Sequence, residues 1–273
     1  MTVAVGIDVG ATKTLGAVID PTTGRVLHFQ RIETRPERGG AAVLEDVVRL
    51  AGVLADGQAA TIGVGLCEIV GIDGGIRSAE TIDWRDLDVS GALASIGAAT
   101  IDSDVRAGAL AEAVVGAGRS HSQFVYITVG TGISHCLVLD GRPYPGAHGQ
   151  AIVLGTPPVE RVASGRALAA RAGMSRAEDV LASREHAPIV AAAAHELGRA
   201  IAFLVNAVDP EIVVIGGGLG LDPGYRATVT AIAITRIEDD RGTAPPIVPA
   251  ATGTHAGVIG AALVAAAPWT LRG

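Results

Sequence analysis

Several short stretches of this sequence join small residues to groups that can handle phosphate. In Asp8-Val9-Gly10-Ala11-Thr12-Lys13 a carboxylate ends an apolar run and is followed by glycine and a hydroxyl. Backbone N–H groups of such a turn can cradle phosphate oxygens, and Asp8 is suited to hold a hydrated magnesium ion, through water. Lys13 is the single lysine among 21 basic residues. A second turn, Gly130-Thr131-Gly132, can offer N–H groups to the same polyphosphate, although read alone it is an ordinary structural turn. A third, Gly216-Gly217-Gly218, follows a buried-strand pattern and lets backbone approach a flat ligand such as adenine with its ribose. The run Asp102-Ser103-Asp104 sits where a strand pattern passes into a helix pattern, and its local reading is a helix cap.

These residues need scaffolding, and the apolar periodicity supplies it. Two apolar runs, 3–10 and 15–20, flank the first turn and read as a hairpin. The same order of strand, Gly/Thr turn, strand and Asp-bearing turn recurs over 124–141. The chain therefore reads as duplicated, with two related lobes whose glycine turns face one another across a cleft. Between the copies the pattern predicts a helix over 41–54, a strand over 61–66, a short strand over 99–101 and a helix over 105–115. Beyond them it predicts helices over 164–171, 176–181 and 189–208, a strand over 212–215 and a last helix running from 256 toward 266.

Composition narrows the class. Of 273 residues 49% are hydrophobic, only 3% are aromatic and 37 are Gly, the mix of layered helices and buried strands, so an α/β fold is expected. A net charge of -7 argues against a nucleic-acid surface, which needs clustered Lys and Arg. Cys67 and Cys136 are too far apart for a metal pair and read as buried thiols. The start lacks a basic, apolar leader, and the apolar stretch 256–267 is too short to cross a bilayer, so a cytoplasmic protein with no membrane partner is expected.

Taken in order, the three glycine turns resemble the motifs of the ROK family of sugar kinases and repressors, within the actin, hexokinase and Hsp70 superfamily. Residues 8–13 resemble its first phosphate motif, 130–133 its second, 206–218 its adenosine segment and 256–262 its closing helix. The resemblance implies a two-lobed, actin-like (ribonuclease H-like) ATPase fold. Its N-terminal lobe would span 1–103, completed by the C-terminal helix 256–273, and its C-terminal lobe 104–255. It further implies ATP and Mg2+, a homodimer, a small polyol as substrate, and Asp104 as the base that accepts the substrate hydroxyl's proton. In the ROK pattern Glu-Asn-Asp-x-Asn, Ser103 takes the place of the first Asn, and the resemblance implies Ser103 beside Asp104 as substrate-binding residues.

Departures from the pattern are equally informative. The family's Cys-rich zinc segment is replaced by Thr156-Pro157-Pro158-Val159-Glu160, so no zinc is expected. The sugar-contacting Glu-x-Gly-His appears as Val153-Leu154-Gly155-Thr156, and Pro-Gly after the third strand appears as Cys67-Glu68. Glu160 is carried over as a sugar contact. Glu68 is weighed as a substrate ligand against a solvated loop acid, His148 as a pocket residue against a structural one, and Trp84 as a lid against simple packing. The acceptor implied is a cyclitol or aminosugar, by likeness to ROK-type C7-cyclitol kinases, with a glucokinase or N-acylhexosamine kinase as the alternative. A repressor or a non-catalytic binding protein is the reading of another class. Because the phosphate hairpin begins within ten residues of the start, no DNA-reading helices are expected before it.

Overall fold

The computed structural model describes residues 3–57, 60–153, 158–238, 242 and 244–266. In its first half come β1 (Ala4–Val9), β2 (Lys13–Asp20), β3 (Arg25–Glu33), α1 (Gly40–Ala55), β4 (Ala60–Leu66), α2 (Val89–Leu93), β5 (Gly97–Ser103) and α3 (Asp104–Val114). In its second come β6 (Gln123–Val129), β7 (Ile133–Leu139), β8 (Arg142–Pro143), α4 (Pro158–Ala163), α5 (Gly165–Ala172), α6 (Ala177–Ala182) and α7 (Ala187–Val208). The chain continues through β9 (Ile212–Gly216), α8 (Pro223–Ile234), β10 (Ile247–Pro249) and α9 (Ala256–Ala266).

The duplication read from the turns is a duplication of sheets. One sheet has the order β3-β2-β1-β4-β5 and the other, read in the matching direction, β8-β7-β6-β9-β10. In each, the first three strands form an antiparallel meander and the last two run parallel to its first strand. Parallel strands covered on both faces lose their polar alternation. Accordingly, all residues of β9 and all but Asp8 of β1 are buried.

Helix α1 covers one face of the first sheet through Val43, Val47, Leu50 and Leu54, which join Ile7, Val9 and Ile62 in one core. On the other face lies α9, which shares its core with Ala4, Leu15, Ala17 and Ile19 and with Leu110 of α3. The approach is close because side chains are absent: β-carbons on Gly6, Gly63 and Gly260 would collide with the carbonyl oxygens of Val258, Ala261 and Ala107. Helix α7 is long and apolar enough by composition to cross a bilayer. Its Ala193, Ala194, Leu197 and Ile201 instead pack with α8 and the second sheet, in one core with Val213 and Val229.

Predicted elements appear with shifted ends. The helix expected over 105–115 starts at Asp104, which makes Asp104 the first helical residue. Strand β5 runs two residues beyond 99–101 at each end. Trp84 is 2% exposed and packs in the core beside Ile82 and Val89, the simple-packing reading. Cys136 is buried and Cys67 half-buried, both as free thiols.

Candidate active site

Two carboxylates stand at the carboxyl ends of the first sheet. Asp8 is paired across β4 with Gly65, and Asp104 follows the last residue of β5. Gly65 leaves the room between them, since a β-carbon there would sit 3.3 Å from Asp104 Cα. Both acids are half-buried. Burial raises Asp8 from 3.8 to about 6, with Lys13 pulling it back. Asp104 is driven from 3.8 to about 8, mostly by burial and next by the charge of Asp8. The N–H of Val105, 2.6 Å from Asp104 Oδ1, pulls it down, Glu68 pushes it up and Arg106 lowers it. Ser103, the residue before α3, makes no side-chain capping bond, whereas the Asp104 carboxylate holds the Val105 N–H of the first turn.

The glycine turns end the central strands of both sheets. In the first, Gly10 N–H closes the turn onto Lys13 O at 3.0 Å, and Gly10 O accepts from Thr34 Oγ1 at 2.7 Å. In the second, Gly130 N–H closes onto Gly132 O at 2.9 Å, and Gly165 and Arg166 N–H hold the carbonyls of Gly130 and Thr131. The N–H groups of Ala11, Thr12, Thr131 and Gly132 have no protein partner among the described residues. They are the donors a polyphosphate can use. At the third turn Gly216 is buried against the Tyr126 hydroxyl, and Gly217 takes φ 79° with Val129 O where a β-carbon would go. Gly218 is exposed.

A divalent cation suits this floor. Asp8, Asp104 and Glu68 gather negative charge, which raises Asp104, while Lys13 is the cation that acts on Asp8 and partly offsets the rise that burial gives it. Among the described residues no group of three or more His, Cys, Asp or Glu could hold a metal unaided. A cation here would need ligands from the nucleotide.

The proposed acceptor residues divide. Glu68 is 3% exposed and its carboxylate is saturated: Oε1 accepts from Thr81 N at 2.8 Å and Ile82 N at 2.9 Å, Oε2 from Glu80 N at 3.0 Å and from the Ser78 hydroxyl. It is neither a solvated acid nor a free substrate ligand, because it organises the 78–82 loop. Ser103 is corrected in the same way, since its buried hydroxyl donates to Glu68 O at 2.8 Å and accepts from Val70 N at 3.0 Å. Glu160 is exposed on α4, with Oε1 2.9 Å from where a β-carbon of Gly132 would sit, which brings it to the second turn. His148 is exposed in the loop after β8. Leu154, Gly155, Thr156 and Pro157 lie outside the described residues, while Val153 is 58% exposed.

Sequence reasoning passed over other participants. Gly257 abuts Asp8, and Arg106 is wholly buried two residues beyond Asp104. Tyr126 of β6 has its hydroxyl pushed up, first by burial and then by Glu112, Asp104 and Asp8, which ties the second sheet to the acids of the first. The clue available was a glycine inside an apolar helix and an arginine inside an alanine-rich one.

Comparison with known proteins agrees over nearly the whole chain. A model of the ROK family matches residues 4–159 and 155–267. A glucokinase of Halalkalibacterium halodurans is 29% identical over 311 residues, which span 94% of this chain and 92% of that protein. The N-acetylgalactosamine kinase AgaK of Shewanella sp. ANA-3 is 29% identical over 300 residues, with 95% of each chain covered. Among solved structures, a ROK family glucokinase from Streptomyces griseus in complex with glucose and AMPPNP superposes with a TM-score of 0.82 at 23% identity, covering 97% of this chain and 99% of that one. The chain belongs to the ROK family and carries its two-lobed, actin-like α/β fold.

Proposed function

We propose that the chain, a phosphotransferase with an alcohol group as acceptor, moves the γ-phosphate of ATP to a hydroxyl of a cyclitol or aminosugar. The observation that carries the reading is the pair Asp8 and Asp104 at the carboxyl ends of β1 and β5, beside the glycine turn at 10–13, with Asp104 raised to about 8. A carboxylate at that value is a competent base for an alcohol near neutral pH, whereas an ordinary carboxylate is a weak one. Asp104 accepts the acceptor's proton as its oxygen attacks phosphorus. Ala11, Thr12, Thr131 and Gly132 offer N–H groups to the phosphates. Gly216, Gly217 and Gly218 let the backbone lie against adenosine. Asp8 would hold magnesium through water, and the ion would supply charge neutralisation on the phosphoryl oxygens. Closure of the lobes keeps water, the competing acceptor, out of the cleft.

The finer acceptor assignment rests on Val153. An apolar, exposed side chain stands where the family pattern has a sugar-binding acid, so a hydroxyl that would be gripped there has lost its partner. Glucose is the second reading, favoured by the glucokinase relative. The test is phosphorylation by ATP, followed by ADP release and product mass, across glucose, mannose, N-acetylmannosamine, kanosamine and valiolone. Preference for kanosamine or valiolone is expected. Efficient turnover of glucose would overturn the acceptor assignment, and no phosphorylated product from any of them would overturn the kinase itself. The soluble cytoplasmic homodimer belongs to the same reading, and sedimentation at working concentration checks it.

A further inference from the structure

Arg106 occupies an unusual place. Its guanidinium is 1% exposed, and it grips three separate segments. Nε donates to Asp102 Oδ1 at 2.6 Å, Nη2 to Val70 O at 2.6 Å and Nη1 to Gly149 O at 2.8 Å. Asp102, the last residue but one of β5, supplies the countercharge. Val70 belongs to the loop after β4, on the first sheet, and Gly149 to the loop after β8, on the second. The two loops touch beside the arginine: Gly149 has φ 82°, and a β-carbon there would lie 2.4 Å from Val70 O. The guanidinium fork is planar, so it fixes both carbonyls in one plane. The same loops carry Glu68, with its bonded 78–82 segment, and His148, and Val70 N is bonded to Ser103 beside Asp104.

We propose that Arg106 is the positioning residue for the acceptor: it fastens the loops after β4 and β8 to the helix that begins at Asp104 and so preforms the acceptor side of the cleft. Among the described residues the nucleotide turns at 10–13, 130–132 and 216–218 make no hydrogen bond with its guanidinium. Carbonyl bonds to a buried cation are worth more than neutral ones, and a neutral replacement strands both carbonyls and Asp102. Acceptor binding therefore depends on Arg106 and ATP binding does not.

The inference rests on the kinase reading above, and the experiment separates the two. The full chain, Arg106→Lys and Arg106→Gln are assayed with ATP and the best acceptor of the five compounds named, and hydrogen exchange is followed over 69–77 and 144–152. For Arg106→Gln the acceptor KM should rise about ten- to hundred-fold while the KM for ATP stays within about twofold. Arg106→Lys, which keeps the charge but loses the fork, should fall between it and wild type. Both loops should lose exchange protection together, with 10–13 unchanged. An unchanged acceptor KM in a folded Arg106→Gln protein overturns the inference alone. Equal rises in both KM values overturn it as well, since that is the mark of a general loss of structure. A wild-type chain that phosphorylates none of the five overturns the kinase reading, and this inference with it.

Discussion

A β-carbon on Gly257 would stand 2.3 Å from Asp8 Oδ2, so the second residue of α9 is the wall behind the carboxylate of β1. The helix that returns from the far end of the chain thus fixes one acid of the cleft. Gly257→Ala should push Asp8 from its place by a large fraction of an ångström. Misplacement on that scale costs about a hundredfold in catalysis. We expect a drop of that order in kcat/KM for ATP, with circular dichroism unchanged, and wild-type kinetics would show that Asp8 needs no such wall.

Asp104→Asn keeps the shape and removes the base. Loss of a positioned general base costs about 10²–10⁴ in rate. The fall should appear in kcat, with ATP binding, followed by fluorescence of a nucleotide analogue, unaffected. Full turnover by this variant would assign proton removal to another group.

Glu112 of α3 is buried and forms no ion pair among the described residues. Its carboxylate accepts from Ala117 N at 2.7 Å, Ala251 N at 3.1 Å and Thr252 N at 2.9 Å, and also from the Thr252 hydroxyl. It ties α3 to the turn that leads into α9, the two helices packed between the sheets. An amide at 112 would turn an N–H₂ toward those N–H donors. Glu112→Gln should lower unfolding stability by about 1.5–3 kcal/mol, the worth of a bond to a charged group that cannot be remade. Urea denaturation measures it, and a shift under a few tenths of a kcal/mol would mean that the turn finds other partners.

Much of this arrangement was legible in the sequence because it is encoded locally. The glycine turns are continuous in the chain, and β1, β6 and β9 announce themselves as unbroken apolar runs. Strand β3 was missed because six of its nine residues are exposed and none is buried, as an edge strand beside β2 permits, so it carries no apolar alternation. The roles of Glu68 and Ser103 were misread for another reason. Whether a polar side chain faces substrate or backbone depends on donors ten or more positions away, here at 78–82 and at Val70. Arg106 posed the same problem, as its partners at 70 and 149 meet only after both sheets have formed.

The two cleft acids give a last prediction, on stability rather than rate. Asp104 holds its proton up to about 8 when folded but has an ordinary value of 3.8 when unfolded. Between those values the native chain binds more protons than the unfolded one, so stability must fall as pH rises. Asp8, raised to about 6, has the same sign but completes its change earlier. His135 is lowered by burial and works in the opposite direction, yet its effect ends near the ordinary histidine value of 6.5. The two thiols and the tyrosines, all raised by burial, act as pH climbs through their unfolded values of 9.0 and 10.0, so their effect begins above about pH 8. The window from about pH 7 to about pH 8 therefore reports Asp104, with a slope of at most about 1.4 kcal/mol per pH unit. Without nucleotide, the wild-type melting temperature should fall across that window and the Asp104→Asn protein's should stay level. Because asparagine cannot titrate, parallel curves for the two proteins would remove Asp104 as the source and with it the raised base on which the proposed chemistry depends.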